Sequence, residues 1–397
     1  MGLGWLLVAA LQGQAPAPQG SLTLEAALLQ ARLGRGRPTA AAAGVAEARA
    51  QRFLAGDIPH PTLSFERTGD TPHKHLLVDE SFSWLLTRGP DRAAARAGIR
   101  RAEADSAGTM AELVQNVRIA FYDALGAAET LRLVAEQVSF SDSLVRIAQA
   151  RLNAGDISRF EYEQAAQDAR RAQQLLSETR ETARTSAAAL GRAVGWASAA
   201  PPVPAGALDA QLDTDTTLTL SVDSIPAVRS ARADSVATRF TLQSARRGRI
   251  LFPSLVGGAE WDDPSDPGKT LSVIGFSIPF PPIDRARGEM GVARARADLA
   301  AAELREARLE AGRAIAEARI RLAESAARAR FARDSLIPAA RDLRLRAVTA
   351  YRAGETGILP VLDALRSERD VVQTAVQNLQ AFQEALARWL ALFGRTE

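Results

Sequence analysis

Apolar and polar residues alternate in two pairs of short segments, and this alternation predicts two β-hairpins. The first pair is expected to form strands over 62–67 and 75–86, and the second over 253–261 and 270–280. A cluster of Gly, Pro and Asp residues separates the members of each pair, which is typical of a tight turn. The apolar positions of the two longer strands fall on one side and are Leu76, Val78, Phe82, Trp84, Ile274, Phe276 and Ile278.

One apolar and one polar face over about ten residues are typical of a strand that crosses a lipid bilayer. A hairpin that covers the core of a soluble protein alternates in the same way, so one hairpin alone decides nothing. Because the pattern occurs twice, we interpret the seven apolar positions as lipid-facing strand residues.

Helical periodicity fills most of the remaining chain. Each hairpin is followed by a long helical segment, 91–153 after the first and 285–352 after the second, and then by a glycine turn and a returning helix. The first long segment would extend on the order of 95 Å if it were continuous. We expect Pro338 to kink or break the second. A shorter helical segment over 23–55, interrupted at Pro38, precedes the first hairpin.

The second half of the chain repeats the first, at a constant offset that places Gly155 on Gly354 and Gly195 on Gly394. The predicted fold class is therefore mainly α with a small β part: a duplicated repeat of long α-helical hairpins plus two β-hairpins. The predicted organisation is a signal peptide and polar leader over 1–20, a first repeat over 21–196, a linker over 197–208 and a second repeat over 209–397.

The composition argues against several classes of function. A net charge of +3 over 397 residues is too small to indicate nucleic acid binding. The absence of cysteine excludes disulfides and thiolate metal sites. His60, His73 and His75 lie around the first hairpin, but their turn and strand positions favour no metal site. We expect no enzyme activity, no cofactor and no resident metal.

The four strands of one chain are too few to close a barrel, and an open edge in lipid would leave backbone polar groups unsatisfied. Several chains must therefore share one barrel. Two chains would supply about eight strands, whose side chains fill the interior, whereas three would supply about twelve and leave a lumen. We therefore favour a trimer. The long helices carry charged faces, so they must project into an aqueous space and pack like a coiled coil.

Together these features resemble the TolC-like outer membrane efflux protein family. The resemblance rests on the twin hairpins and on the turn motifs Arg-Leu-Asn-Ala-Gly-Asp-Ile-Ser at 151–158 and Tyr-Arg-Ala-Gly-Glu-Thr-Gly-Ile-Leu-Pro-Val-Leu-Asp at 351–363. Residues 275–288, where a Pro-x-Pro strand end precedes Asp-Arg-x-x-Gly, are similar to the heavy-metal branch of that family.

The resemblance implies the outer membrane channel of a tripartite efflux system. Three copies would form a homotrimer with a twelve-stranded barrel in outer membrane lipid and a helical tunnel in the periplasm. A periplasmic adaptor (membrane fusion) protein and an inner-membrane pump such as an RND transporter would deliver the substrate, which the channel conducts passively. The segment 275–288 favours heavy-metal cations as the substrate, ahead of drugs.

The resemblance also assigns roles around the two glycine turns. Adaptor docking is expected at Leu152, Gly155, Ser158, Tyr351, Gly354 and Gly357, and constriction of the tunnel at Asp363 and Glu161. A solvated acid near a helix N-terminus is the alternative interpretation of Asp363. For the whole protein the alternative is a periplasmic coiled-coil adaptor or scaffold without a pore, which should carry a β-rich domain between two helices.

Overall fold

The computed structural model describes residues 21–34, 36–213, 221–250, 252–278 and 285–394, apart from the side chains of 285 and 286. The predicted signal peptide and leader over 1–20 lie outside the described residues. So do residues 279–284, which form part of the segment that favours the heavy-metal branch.

Long helices make up most of the described chain. The helices are α1 Leu24–Leu33, α2 Arg37–Leu54, α3 Trp84–Ala154, α4 Arg159–Val194, α5 Pro226–Arg247, α6 Arg285–Phe331, α7 Ile337–Ala353 and α8 Leu359–Leu392. The strands are β1 Ser21–Leu22, β2 Thr62–Arg67, β3 Lys74–Ser81, β4 Val203–Pro204, β5 Ser254–Trp261 and β6 Leu271–Ser277. Sequence periodicity predicted all of these helices except α5, which begins with Pro226 at its first position, a favoured place for proline.

The chain divides into two compact units. The helical unit comprises the described parts of 1–34, 113–217 and 318–390, and the sheet unit comprises those of 35–112, 218–317 and 391–397. Helices α3, α6 and α8 contribute residues to both.

The sheet unit contains one antiparallel sheet with the strand order β2-β3-β5-β6. The two hairpins lie side by side, so β2 and β6 form the edges. Residues paired directly across antiparallel strands project to the same face. Phe65 is opposite Leu76, and Leu76 is opposite Ala259. Leu255 is opposite Phe276, so the apolar positions of all four strands share one face.

Two strands end earlier than the alternation predicts. Strand β3 ends at Ser81 and β6 at Ser277, and Ser254 of β5 is the pairing partner of both. Pro253 comes directly before Ser254, and proline has no N–H group with which to extend a strand ladder. The pairing of β3 and β6 therefore stops at this level of the sheet.

Three residues predicted to lie in strands are thus outside them. Phe82 follows β3, Trp84 is the first residue of α3, and Ile278 follows β6. The prediction that these three are lipid-facing strand residues was wrong in that respect, because alternation along one strand carries no information about where its neighbour ends.

Helix α3 begins before Pro90, although proline removes a backbone donor from a helix. The carbonyl of Leu86, four residues earlier, would otherwise accept from residue 90. In the structure Arg247 Nη1 lies 3.5 Å from this oxygen and donates to it. A side chain of the sheet unit thus partly replaces the hydrogen bond that Pro90 cannot make.

Two core clusters lie among the described residues of the helical unit. The first core cluster joins α1, α3, α4 and α8 and consists of Leu22, Ala27, Leu28, Ala31, Val114, Val117, Phe121, Tyr122, Ala124, Leu125, Leu190, Val194, Leu208 and Val376. The turn core cluster joins the ends of α3 and α7 to the starts of α4 and α8 and consists of Leu144, Ala148, Ala165, Tyr351, Ile358, Val361, Leu362 and Leu365.

The segment predicted as a linker, 197–208, packs against the first core cluster. Strand β4 within it pairs in parallel with β1, and Leu208 at its end is 9% exposed. Gln383 of α8 donates its side-chain amide to the carbonyls of Leu208 and Ala210 at 3.0 and 2.7 Å. The segment between the repeats therefore packs against the helices and is hydrogen-bonded to α8.

A π-helical turn, Ala332–Leu336, separates α6 from α7, and Pro338 is the second residue of α7. The N–H of Ile337 donates to the carbonyl of Ala332, five residues earlier. The interruption expected at Pro338 thus takes the form of one widened turn directly before the proline.

Candidate functional site

The two turns of the helical unit have the same backbone geometry. Gly155 directly follows α3 and has φ 80°, and Gly354 directly follows α7 and has φ 78°. The N–H of Gly155 donates to the carbonyl of Leu152 at 3.1 Å, and the N–H of Asp156 donates to the carbonyl of Arg151 at 2.9 Å. The Gly354 turn repeats both bonds at 3.1 and 3.0 Å. This double closure is the Schellman motif, which favours glycine because its capping residue has positive φ.

The helices that leave the two turns begin differently. Ser158 caps α4, because its hydroxyl accepts from the N–H of Glu161 at 3.2 Å. Gly357 occupies the matching place in the second repeat and has no hydroxyl to offer. There the backbone carbonyl of Ile358 accepts from Val361 and Leu362 at 3.0 and 3.1 Å.

A single arginine joins the two turns. Arg151 Nη1 donates to the carbonyl of Tyr351 at 3.0 Å, and its guanidinium lies 4.8 Å from the centre of the Tyr351 ring. Tyr351 is 1% exposed, and burial raises the pKa of its hydroxyl, against the opposing effect of Arg151. A buried aromatic ring under a cation is a stabilising arrangement. Arg151 belongs to the first turn motif, but nothing in the sequence pattern of that motif indicated a contact with Tyr351 of the second turn motif.

The residues predicted to dock an adaptor therefore divide into two groups. Gly155, Ser158, Gly354 and Gly357 are exposed and Leu152 is half-buried. Tyr351 is buried, so within this chain it supports the turns from the inside.

The two predicted constriction residues have different surroundings. Glu161 is half-buried and its Oε1 is 3.3 Å from the place that a Cβ at Gly357 would occupy. Asp363 is exposed, and within the described residues it forms no salt bridge. Its neighbours Val361 and Leu362 face the turn core cluster, so Asp363 is on the other side of α8.

The apolar face of the sheet is open to the surroundings. Its exposed fractions reach 85% for Ile274 and 74% for Phe276, values far above those of core residues. The exposed large apolar residues of this face are Leu63, Phe65, Val78, Leu255, Ile274 and Phe276. Leu76 is half-buried beside them. Leu63, Phe65 and Leu255 were not among the lipid-facing residues predicted from the sequence, and strand pairing with Val78, Leu76 and Phe276 places them on this face.

The opposite face of the sheet is largely polar. His75 Nδ1 is 3.0 Å from Glu260 Oε1, and the Ser254 hydroxyl donates to Asp79 Oδ2 at 2.9 Å. Two polar contacts therefore join β3 to β5, which belong to different hairpins. The sheet has one face suited to lipid and one suited to water.

Neither a spanning helix nor a metal cluster is found in the described part of the chain. None of the described helices is both long and apolar enough to cross a membrane. Among the described residues, no group of three or more His, Asp or Glu side chains is placed to hold a metal ion.

Comparison with known proteins gives a consistent result. The model of the outer membrane efflux protein family matches residues 87–196 and 221–395. The cobalt-zinc-cadmium resistance protein CzcC of Cupriavidus metallidurans is 27% identical over 356 residues, which cover 88% of this chain and 84% of that protein.

Solved structures share the fold. The chain matches CusC, described in connection with transmembrane channel formation, with a TM-score of 0.77 at 17% identity, covering 94% of this chain and 92% of the other. It matches the open state of the MtrE outer membrane channel of Neisseria gonorrhoeae with a TM-score of 0.77 at 16% identity, covering 94% and 89%.

These matches confirm the resemblance, the fold class and the outer membrane location that the sequence indicated, and they decide against the adaptor or scaffold alternative. Because the family model covers well over half of the residues, the chain belongs to the outer membrane efflux protein family, whose members are channels and not enzymes.

Proposed function

We propose that this chain is the outer membrane channel of a tripartite system that exports heavy-metal cations. It acts as a homotrimer and receives its substrate from a periplasmic adaptor protein and an inner-membrane pump such as an RND transporter. The observation that carries the proposal is the sheet, which has an exposed apolar face, a polar face and two edges at which a further strand can pair.

The edges of the sheet account for the trimer. Strands β2 and β6 each have one neighbour among the described strands, so each presents backbone donors and acceptors along its other side. Lipid cannot satisfy these groups. Pairing β6 of one copy with β2 of the next closes the ring, and about twelve strands leave room for a lumen. The apolar face then contacts lipid and the polar face lines the lumen.

The two glycine turns are the proposed docking points for the adaptor. Gly155 and Gly354 are exposed, have matching geometry and are joined through Arg151. These two glycine turns are the tips of the helical hairpins, and two similar tips per chain give six similar tips in a trimer. A partner can therefore contact both repeats through similar surfaces.

Cations are the proposed cargo on two grounds. CzcC is named for cobalt, zinc and cadmium resistance and aligns along most of both chains. Asp363 is exposed on α8 and has no salt-bridge partner among the described residues. Three such carboxylates around a tunnel axis attract cations and repel anions.

Disulfide mapping tests the proposed ring, since the chain has no cysteine of its own. Ser64→Cys on β2 is combined in turn with Leu271→Cys, Val273→Cys and Gly275→Cys on β6. These four positions all lie on the polar face. The control series replaces Ser64→Cys by Leu77→Cys on the inner strand β3.

We expect at least one pair of the Ser64 series to yield covalent dimers and trimers in outer membranes after oxidation. Neighbouring strands lie about 4.8 Å apart, so β3 of the next copy is too distant for direct bonds. If the Ser64 series gives no intermolecular bonds in correctly inserted protein, or if the Leu77 series bonds equally well, the ring is wrong.

A further inference from the structure

A half-open cavity of about 580 Å³ interrupts the packing of the helical unit. It lies among α3, α4, α7 and α8, between stretches of these helices that supply the two core clusters. Protein interiors are usually packed without voids much larger than a water molecule. A space of this size matches the volume range of small-molecule sites. Its walls therefore indicate what it could hold.

One part of the wall is apolar. Leu133, Phe140, Leu175, Leu365 and Val372 line the cavity. They come from three helices, α3, α4 and α8. The hydroxyls of the two lining threonines donate to carbonyls of their own helices at 2.8 and 2.7 Å. Gln137 and Gln373 are uncharged polar side chains that also line the cavity.

The other part of the wall has more positive than negative charge. Arg344 Nε lies 2.5 Å from Glu368 Oε2, and the Arg344 guanidinium packs 5.5 Å from the centre of the Phe140 ring. Arg341 Nε lies 4.0 Å from Oε1 of the same carboxylate. The Glu368 carboxylate thus forms ion pairs with both guanidinium groups. Arg341 is the more exposed of the two arginines, at 57% against 24% for Arg344.

The other charges of the wall are neutralised locally. Arg369 Nε donates to Asp370 at 3.1 Å, and Glu136 is paired with Arg132 on its own helix. The positive charge that remains is therefore that of Arg341 and Arg344 around Glu368, in the lining of the cavity.

We propose that this cavity binds a small amphipathic anion, an aromatic sulfonate or carboxylate. The aromatic body occupies the space among Leu133, Leu175 and Leu365, and the anionic group pairs with Arg341. Apolar burial supplies the affinity, and the guanidinium fixes the orientation. Because this ligand is opposite in charge to the proposed cargo, the proposed site is distinct from the site that would conduct cations.

Calorimetry with 2-naphthalenesulfonate tests the proposal on full-length protein in nanodiscs, with empty nanodiscs as the blank. We expect saturable binding of one ligand per chain. Naphthalene-2-methanol, which has the same ring system and no charge, should bind several-fold more weakly.

Two variants and a matched control define the site. Arg341→Gln should weaken binding about threefold, the effect of one partly exposed ion pair. Leu175→Trp should abolish it by filling the space. Arg346→Gln is the control, because Arg346 is also on α7, is 77% exposed and pairs with Asp342 away from the cavity lining. It should bind like the unmodified protein.

The proposal fails if the unmodified protein releases no saturable heat above the empty nanodiscs. It fails equally if Arg341→Gln and Arg346→Gln reduce binding by the same factor, since that would mean attraction to surface charge alone. A tryptophan at position 175 that leaves binding intact would also overturn it.

Discussion

Replacing the glycines of the two helical turns should loosen the turns by a calculable amount. Gly155 and Gly354 have φ of 80° and 78°, where a Cβ atom crowds the following carbonyl. A Cβ at Gly155 would meet nothing within 4 Å, and one at Gly354 would come no closer than 3.9 Å to Arg151. The cost of an alanine is therefore the backbone penalty alone, about 1 kcal/mol at each turn.

The penalty can be measured at single amides. About 1 kcal/mol corresponds to roughly a fivefold change in an equilibrium constant. In Gly155→Ala, the N–H of Asp156 should exchange with solvent about fivefold faster, since its bond to the carbonyl of Arg151 closes the turn. Gly155→Asn should show a smaller effect, because asparagine tolerates the left-handed conformation better than alanine.

A matched substitution separates docking from stability. Gly195 ends α4 with φ 68°, and a Cβ there would also meet nothing within 4 Å. Gly195→Ala should therefore destabilise its own turn by about the same 1 kcal/mol, far along the helix from the proposed docking points. We expect the double variant Gly155→Ala/Gly354→Ala to lower the metal tolerance of a strain that depends on this chain. Gly195→Ala should leave it unchanged.

Two results would refute this reasoning. Unchanged exchange at Asp156 in Gly155→Ala would mean that the turn does not have the left-handed geometry. An equal loss of tolerance in Gly195→Ala would mean that general stability, and not the tips, limits export.

Three further predictions concern the sheet, the tunnel and the contact of Asp213 near the start of the second repeat. Ile274→Lys should reduce the yield of assembled protein in outer membranes, because a lysine on a lipid face costs about 2–4 kcal/mol at mid-depth. Val273→Lys, on the opposite face, should assemble normally. Asp363→Asn should lower cation selectivity, measured as a smaller reversal potential across a salt gradient; an unchanged potential would remove Asp363 from the constriction. The hydrogen bonds of Arg333 lower the pKa of Asp213. The contact between Asp213 and Arg333 therefore stabilises the fold at pH values above the usual aspartate pKa. This stabilisation is lost as the pH falls through the lowered pKa. Exchange near residue 213 should therefore rise on acidification below about pH 4, and Asp213→Asn should show no such rise.

The turns could be predicted from the sequence because their requirement is local. A left-handed residue at the end of a helix favours glycine, and Gly155 and Gly354 meet that requirement without help from distant residues. The long helices were predictable for a similar reason, since their periodicity extends over many turns.

Strand ends and helix starts depended on partners that are remote in sequence. Alternation continues through Trp84 and Ile278, yet β3 and β6 both stop at the level of Ser254, the first residue of β5, which directly follows Pro253. Helix α3 begins before Pro90, and Arg247 donates to the carbonyl that the proline leaves free. The contact between Arg151 and Tyr351 likewise joins two repeats, and no pattern within either repeat indicates it.

The two edges of the sheet, which have no partner strand among the described residues, have a genetic consequence. If β2 and β6 can complete their hydrogen bonds only on sister molecules, then a defective variant with intact edges is built into the same rings as functional protein. With equal expression of both forms, about one ring in eight would contain functional protein alone. Tip or lumen mutations that spare these edges should therefore be dominant, whereas mutations that destroy an edge should be recessive.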